Sequence, residues 1–427
     1  MGFVVSRKWV VLDSFFRWYR QSSPRPHAPF AAGPLDGCSP LVIINPPSSR
    51  TAGRHMDTIL AGSMALLTLA TSLCAQSASQ RGQAPLFENL VHQAEAARDA
   101  KRLDEALALY ERGLELKPDW EDGWWNAGSI AYDLNKYAEC ASDFHRMAEL
   151  KPDSAPGWTM EGICEYQLRD YKAALRSLTQ AERVRFEENA ELSRAGGLHL
   201  AIVLTKFGYF EKALLLLTDV AAIEQKTPEI IAAAGIAGLR KRWVPPEVPK
   251  SDQDKVFKLG DAMASALSRD YGGAVEKFEL ALRDYPQEPE IHYRFGAFLM
   301  THDPDRGIQE IRKTLDLDPG HVPATFGLAR IYLKRGEPEA ALPYAQKAVK
   351  LRPEDSTAHL ALGQALLATG DPTGAARELK SSAKLDPKSP TPHWILAEAY
   401  AKLGRRADAE REREESKRLR ESAPKEP

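Results

Sequence analysis

Three histidines recur at one place in the repeating part of the chain and are the first candidates for chemistry. His292, His359 and His393 each stand four positions into a stretch of about 34 residues. Imidazole is a common metal ligand, but a metal site needs its ligands within a few ångströms of one ion. Equivalent residues one repeat apart lie roughly a helix diameter or more from each other. We therefore predict half-buried packing histidines, with no metal site and no cofactor.

The cysteines are the second candidates. Four cysteines cannot form a disulfide framework for 427 residues. Cys38 and Cys74 precede the repeating part, whereas Cys140 and Cys164 lie in adjacent repeats. We favour two small buried side chains at these positions, and the alternative is a disulfide formed after export.

No motif of an enzyme active site is present. The chain lacks a phosphate-binding loop, G-x-S-x-G, H-E-x-x-H and a paired C-x-x-C. From residue 76 onward it holds 50 Lys/Arg and 56 Asp/Glu, with no basic run interleaved with aromatic residues. An acidic surface repels nucleic acid. We predict a chain without catalytic residues that binds no nucleic acid.

The residues named above lie in a repeat whose period is about 34 residues. The letters ELKPD occur at Glu115–Asp119 and again at Glu149–Asp153. Later prolines fall at intervals of 33, 34 and 34 residues: Pro286, Pro319, Pro353 and Pro387. A period of this length over most of the chain indicates a stack of supersecondary units.

The unit 356–389 shows which elements each repeat contains. Leu362 and Leu366 lie on one side of a first helix, at helical spacing. Gly370 can end that helix, and Pro372 suits the first turn of a second one. Small residues stand eight positions into the units, where the two helices must approach closely: Ala94, Gly128, Gly162, Gly296 and Gly363. Each unit is therefore predicted to be two antiparallel helices.

This pattern resembles the tetratricopeptide repeat family. The stretches WWNAGSIAYDLNKYAECASDF and TFGLARIYLKRGEPEAALPYAQKAVKLRP carry the family's Trp, Leu-Gly, Tyr, Ala, Phe, Ala and Pro positions. The match covers roughly Phe87 to Ser422. The resemblance implies an all-α fold, a right-handed α-solenoid of about nine helix-turn-helix repeats in two blocks, of the exported bacterial type.

Departures from the repeat predict how the chain divides. We expect an N-terminal block over 79–225, with about four repeats. An irregular helix and a proline-rich hinge follow over 226–254, and a C-terminal block of about five repeats covers 255–422. The last helix is charged almost all round, which suits a polar cap on the end of a solenoid.

The amino-terminal segment fits no repeat. We predict that residues 1–55 are a non-repeat extension that is either disordered or the result of a mis-assigned start. Residues 56–78 resemble a signal peptide, because an uncharged apolar run follows Arg50 and Arg54 and small residues follow the run. The prediction is export to the periplasm or outside the cell. The alternative is a membrane anchor formed by residues 59–75.

The resemblance implies that a concave face, built from the first helices, binds a protein or peptide. The positions that face it are the second, fifth, ninth, twelfth and thirteenth of each unit. The predicted partner-binding residues are Trp125, Ser129, Tyr132, Asp133, Tyr166, Tyr293, Phe326, Arg330, Lys334, Gln364 and Trp394. The alternative is that several of them only pack against neighbouring helices.

Arg330 and Lys334 resemble the basic half of the carboxylate clamp of some tetratricopeptide domains. Leu259, Met263 and Arg294 stand where that clamp has its other polar residues. We therefore expect a mild anionic preference with apolar contacts. The predicted function is a non-catalytic scaffold for a protein or peptide. The alternative is an accessory subunit of an envelope or secretion enzyme complex whose catalytic chain is separate. Partner identity and oligomeric state stay open.

Overall fold

A computed structural model describes residues 85–184, 190–223 and 226–422. These residues form nineteen α-helices and one short 3-10 helix, Pro245–Glu247, and contain no strand. The first helix, α1, covers 85–99. The others are α2 Leu103–Leu116, α3 Glu121–Asp133, α4 Tyr137–Leu150, α5 Ala155–Gln167, α6 Tyr171–Arg183, α7 Ala190–Lys206, α8 Phe210–Ile223, α9 Pro228–Gly238, α10 Gln253–Leu267, α11 Tyr271–Asp284, α12 Pro289–Leu299, α13 Pro304–Leu317, α14 Val322–Arg335, α15 Pro338–Leu351, α16 Ser356–Ala368, α17 Pro372–Leu385, α18 Pro390–Lys402 and α19 Arg406–Ser422.

The helices follow one another as pairs joined by short turns, which confirms the predicted all-α solenoid. In the described part of the chain, four pairs (α1 to α8) precede α9 and five pairs (α10 to α19) follow it. The predicted extension 1–55, the signal-like segment 56–78 and the cysteines Cys38 and Cys74 lie outside the described residues.

Most turns within a pair use one residue in the left-handed conformation. In four of these turns the residue is a glycine with φ between 73° and 88°: Gly208, Gly336, Gly370 and Gly404. Glycine has no Cβ to clash there, so the turn can close tightly. The turn between α12 and α13 is one residue shorter in sequence, and there Asp303 accepts a hydrogen bond from the Arg306 amide as the helix cap.

The predicted small positions lie where the two helices of a pair cross. A Cβ on Gly128 would stand 2.8 Å from the Phe144 ring, and one on Gly162 or Gly363 would stand 2.6 Å from a leucine Cγ on the second helix. Any larger side chain would push the helices apart. The predicted close approach of the two helices at these small residues is confirmed.

The chain divides into two compact units, 1–203 and 204–427, at a point inside α7. This division falls upstream of the predicted 226–254 hinge. Within the second unit, α9 and α10 pack directly against each other on either side of the proline segment. Gly235 and Gly260 allow this contact, because a Cβ on either would overlap a backbone carbonyl of the other helix. Motion about the proline segment stays a prediction.

Cys140 on α4 and Cys164 on α5 form a disulfide, with the two Cα atoms 6.0 Å apart. The favoured prediction of two unlinked cysteines is therefore corrected. Both side chains are fully buried, as small core residues should be. The sequence could not decide between the alternatives, because the direction of the two Cβ vectors depends on how successive repeats stack. The bond joins the second helix of one repeat to the first helix of the next.

Candidate functional site

Three of the predicted partner-binding residues lie in the core of the first unit. Trp125 is 2% exposed and its ring meets the edge of Phe144 at 5.3 Å. The Ser129 hydroxyl donates to the Trp125 carbonyl at 2.6 Å, and Tyr132 packs edge-on against Tyr137. These side chains contact the chain itself, so their assignment to the binding face is corrected. They follow the repeat pattern, but in this unit the neighbouring aromatic residues cover them.

The other two predicted residues of the first unit are half-buried. The Tyr166 ring lies 5.1 Å from the buried His199 ring and 5.7 Å from Tyr171. Asp133 stands at the last position of α3. The alternative of packing between helices therefore describes Tyr166 well.

The second unit places the remaining predicted residues along four successive first helices. The fifth positions of α12, α14, α16 and α18 are apolar and at least partly exposed: Tyr293, Phe326, Leu360 and Trp394. One turn later the ninth positions are Ala297, Arg330, Gln364 and Glu398. Residues four apart project from one side of a helix. We call these eight residues the first-helix face. Trp394 is 54% exposed, which is unusual for so large an apolar side chain.

Arg330 and Lys334 supply positive charge to this face from α14. Both side chains are exposed, and neither has an ion pair or hydrogen bond to a described residue. Their neighbour Arg335, in contrast, pairs with Asp305 at 2.7 Å. Cations without an internal partner can bind an external anion without first breaking a bond.

Arg294 lies on α12 next to Tyr293, and its charge is paired with a carboxylate of the chain itself. It is 7% exposed and donates to both carboxylate oxygens of Glu211 at 3.2 Å and to the Gly238 carbonyl. Burial opposes ionisation of Glu211, but Arg294 and Arg240 outweigh it and hold the pKa of that carboxyl below its usual range.

Tyr293 borders this ion pair. Its ring lies 4.8 Å from the His321 ring and beneath the Arg294 guanidinium. Burial raises the pKa of the Tyr293 hydroxyl, so the side chain stays neutral.

The arrangement bears on the predicted clamp. Leu259 and Met263 are buried on α10, and Arg294 is occupied by Glu211. These three side chains therefore offer nothing to a carboxylate, and the role of Arg330 and Lys334 as the basic half of a clamp stays a prediction. Three residues of the first-helix face, Ala297, Leu360 and Glu398, were not predicted as part of the site, although their positions in the repeat would have identified them.

The described residues contain no group of three or more His, Cys, Asp or Glu side chains placed to hold a metal ion. His292, His359 and His393 instead each pair with a glutamate of the second helix in their own unit. In the described part of the chain, no helix is long and apolar enough to cross a bilayer.

Stacked antiparallel helix pairs with small residues at their crossings define the class of helical-repeat solenoids. Residues 91–155, 297–356, 326–390 and 360–415 match the tetratricopeptide repeat family. These regions of the chain are therefore tetratricopeptide repeats, as the resemblance implied.

Solved structures similar to this chain include MamA proteins. MamA from Desulfovibrio magneticus RS-1, from residue 41 to its end, is 20% identical, with 40% of this chain and 98% of that chain covered and a TM-score of 0.38. MamA AMB-1 is 22% identical, with 40% and 94% covered and a TM-score of 0.37. Similarity at this level carries no argument about function. No curated protein matches the chain.

Proposed function

We propose that this protein is a non-catalytic scaffold that binds an extended segment of a partner protein along its first-helix face. Tetratricopeptide repeats are typical of scaffolds for protein–protein interaction. The observation that carries the proposal is the pairing of an apolar row (Tyr293, Phe326, Leu360, Trp394) with two exposed cations that have no partner among the described residues. Aromatic side chains and arginine are the residues most often found at the centre of binding surfaces.

The spacing of the face fits an extended peptide. Packed helices lie about 8–10 Å apart, so the apolar row covers roughly 25–30 Å from α12 to α18. An extended chain advances about 3.3 Å per residue, and a segment of about eight to ten residues would span it. Alternate side chains of such a segment point to the same side, which suits apolar residues against the row and acidic residues near Arg330 and Lys334.

Two synthetic ten-residue peptides test this proposal. One alternates apolar residues with glutamate, and the other has the same apolar residues alternating with lysine. We expect the acidic peptide to bind the full chain more tightly, with an affinity that falls as salt rises. Equal binding of both peptides, or binding of neither, would count against the first-helix face.

Charge-reversed variants locate the site. Arg330→Glu with Lys334→Glu should weaken the acidic peptide about tenfold or more and flatten its salt dependence. The matched control reverses Lys350 and Lys384, which are exposed on the second helices α15 and α17. The control should bind like the original chain. A similar loss in both variants would mean that net charge, and not this face, controls binding.

We also propose that the protein is exported, as the apolar segment before the repeats predicts. The disulfide between Cys140 and Cys164 supports this proposal, because such bonds persist in oxidising compartments and are rare in the cytosol. Mass spectrometry of the protein from cell fractions tests it. Recovery only from the cytosol, with both cysteines reduced, would contradict export.

A further inference from the structure

Two histidines of the second unit hold the same three-way contact. His292 Nδ1 lies 2.7 Å from a Glu310 carboxylate oxygen, and its Nε2 lies 3.0 Å from the Pro286 carbonyl. His359 repeats this arrangement with Glu378 at 2.9 Å and the Pro353 carbonyl at 2.9 Å. The glutamate belongs to the second helix of the same repeat, and the proline ends the preceding repeat. Each imidazole therefore joins one repeat to the next.

His393 makes part of the same contact. Its Nδ1 lies 2.6 Å from the Glu412 carboxylate on α19. All three histidines are largely buried: the side chains of His292, His359 and His393 are 10%, 12% and 17% exposed.

The first unit makes the equivalent contact with tryptophan. The indole nitrogen of Trp124 donates to the Pro118 carbonyl at 2.8 Å, and that of Trp158 donates to the Pro152 carbonyl at 3.0 Å. An indole N–H does not titrate, so those two joints do not depend on pH. A histidine at the same position donates from an imidazole ring, which can gain or lose a proton.

Both ring nitrogens of His292 and His359 face hydrogen-bond acceptors. Neutral imidazole has one N–H and can donate to only one of the two, whereas imidazolium has two. The protonated ring therefore makes both bonds, and the bond to the glutamate is charge-assisted. The neutral ring leaves a nitrogen lone pair against either a carboxylate or a carbonyl, which is repulsive.

At His292, the surrounding groups together favour the protonated ring. At His292, Glu310 favours the imidazolium and Lys313, also on α13, opposes it. Burial opposes protonation as well, but the bonds to Glu310 and Pro286 outweigh both and raise the pKa of His292. At His359, Arg377 also donates to Glu378. At His393, Glu415 on α19 is a second carboxylate near the ring.

We propose that the contact of His292 with Glu310 and Pro286 forms a pH-sensitive latch across the joint between two repeats of the second unit. Below about pH 6.5, the usual midpoint of histidine, the His292 ring is protonated in both the folded and the unfolded chain and the latch contributes its full stability. As the pH rises through the midpoint of the folded ring, the proton is lost and that contribution disappears. The joint at His292 should therefore open more readily at higher pH than at lower pH.

Local hydrogen exchange is the direct test, because acidic groups of the first unit also titrate near neutral pH. Burial raises the pKa of both Asp143 and Glu165 to about 7, so a global melting curve would mix several groups. In the full chain, the protection of amides in α12, corrected for intrinsic exchange, should fall about two- to tenfold between pH 5.5 and 8.0.

Two sets of variants separate the latch from other titrations. His292→Gln with His359→Gln should remove this fall, because glutamine does not titrate. His302→Gln is the matched control: His302 is exposed in the turn after α12, and its ring lies 4.1 Å from the Tyr271 ring without a carboxylate partner among the described residues. The control should keep the pH dependence of the original chain.

A measurement on the unsubstituted chain keeps the proposal testable if the double variant fails to fold. The imidazole of His292, followed by NMR against pH, should titrate above 6.5, and Glu310→Gln should lower its midpoint. A midpoint below 6.5 would overturn the latch. So would unchanged pH dependence of α12 exchange in the folded double variant.

Discussion

At the scale of single residues, a carboxyl group of the first unit is held where ionisation is costly. Asp143 stands on α4, and its burial, followed by repulsion from Glu111 and Glu139, raises its pKa to about 7. A group whose pKa is higher in the folded state than in the unfolded state costs stability as pH rises between the two values. For Asp143 this window runs from about 4 to about 7.

Asp143→Asn should therefore stabilise the first unit at pH 8 and have little effect near pH 4, where the native side chain is already protonated. We expect a gain of about 1–2 kcal/mol at pH 8, reduced from the full shift because the side chain is partly exposed. Urea unfolding at both pH values measures it. Asp153→Asn, at an exposed position, is the control and should change stability by less than about 0.5 kcal/mol.

Gly363 marks the closest approach of α16 and α17. A Cβ there would lie 2.6 Å from Leu379 Cγ, so Gly363→Leu should overpack the crossing and cost about 1–3 kcal/mol or more. Lys388→Leu, the same new side chain at an exposed position, should be nearly neutral. Thermal melts followed by circular dichroism compare the two, and equal losses would show that the assigned crossing is wrong.

At the scale of elements, α9 and α10 pack closely against each other although the proline segment lies between them in the chain. The prolines 245, 246 and 249 prevent a continuous helix but not the return of the chain. Val244 is buried, and Glu247 forms an ion pair with Lys206 at 2.6 Å. These two contacts attach the proline segment to the second unit.

Gly260→Ala should destabilise this contact by about 2–4 kcal/mol, because the new methyl group would overlap the Ile231 carbonyl and backbone atoms cannot rotate away. Gly272→Ala is the matched control: no atom lies within 4 Å of the new Cβ, and alanine favours the helix. Denaturant unfolding should show a loss for the first and no loss for the second. A neutral Gly260→Ala would mean that α9 and α10 do not pack this closely.

At the scale of the whole molecule, all four cysteines precede residue 204, so the disulfide acts in the first unit. The bond closes a loop across 24 positions of sequence. In the chain-entropy view, such a loop stabilises the folded state by about 3–4 kcal/mol, since it restricts the unfolded chain.

Reduction, or Cys140→Ala with Cys164→Ala, should therefore lower amide protection in α4 and α5. Protection in α14 to α17 should stay unchanged, because stability in a repeat array is mostly set by neighbouring units. Hydrogen exchange with and without reductant measures both regions in one experiment. Unchanged exchange in α4 and α5 after reduction would show that the bond adds no stability.

The repeat period by itself determined the class of fold, the helix pairs and the small residues at their crossings. This information is local: a glycine at the eighth position, a turn glycine and a proline act within one unit or between adjacent units. The same periodicity placed Tyr293, Phe326, Arg330, Lys334, Gln364 and Trp394 on the first helices.

Only the tertiary structure decided which of the predicted side chains can reach a partner. Trp125 and Trp394 both occupy the fifth position of their units, yet the first is 2% exposed and the second 54%. The exposed fraction of each tryptophan depends on which side chains of the neighbouring helices pack against it, as Phe144 packs against Trp125. The disulfide and the contact of α9 with α10 were undecided for the same reason. Each depends on the angle and distance between helices, and a periodic sequence leaves these to side-chain packing.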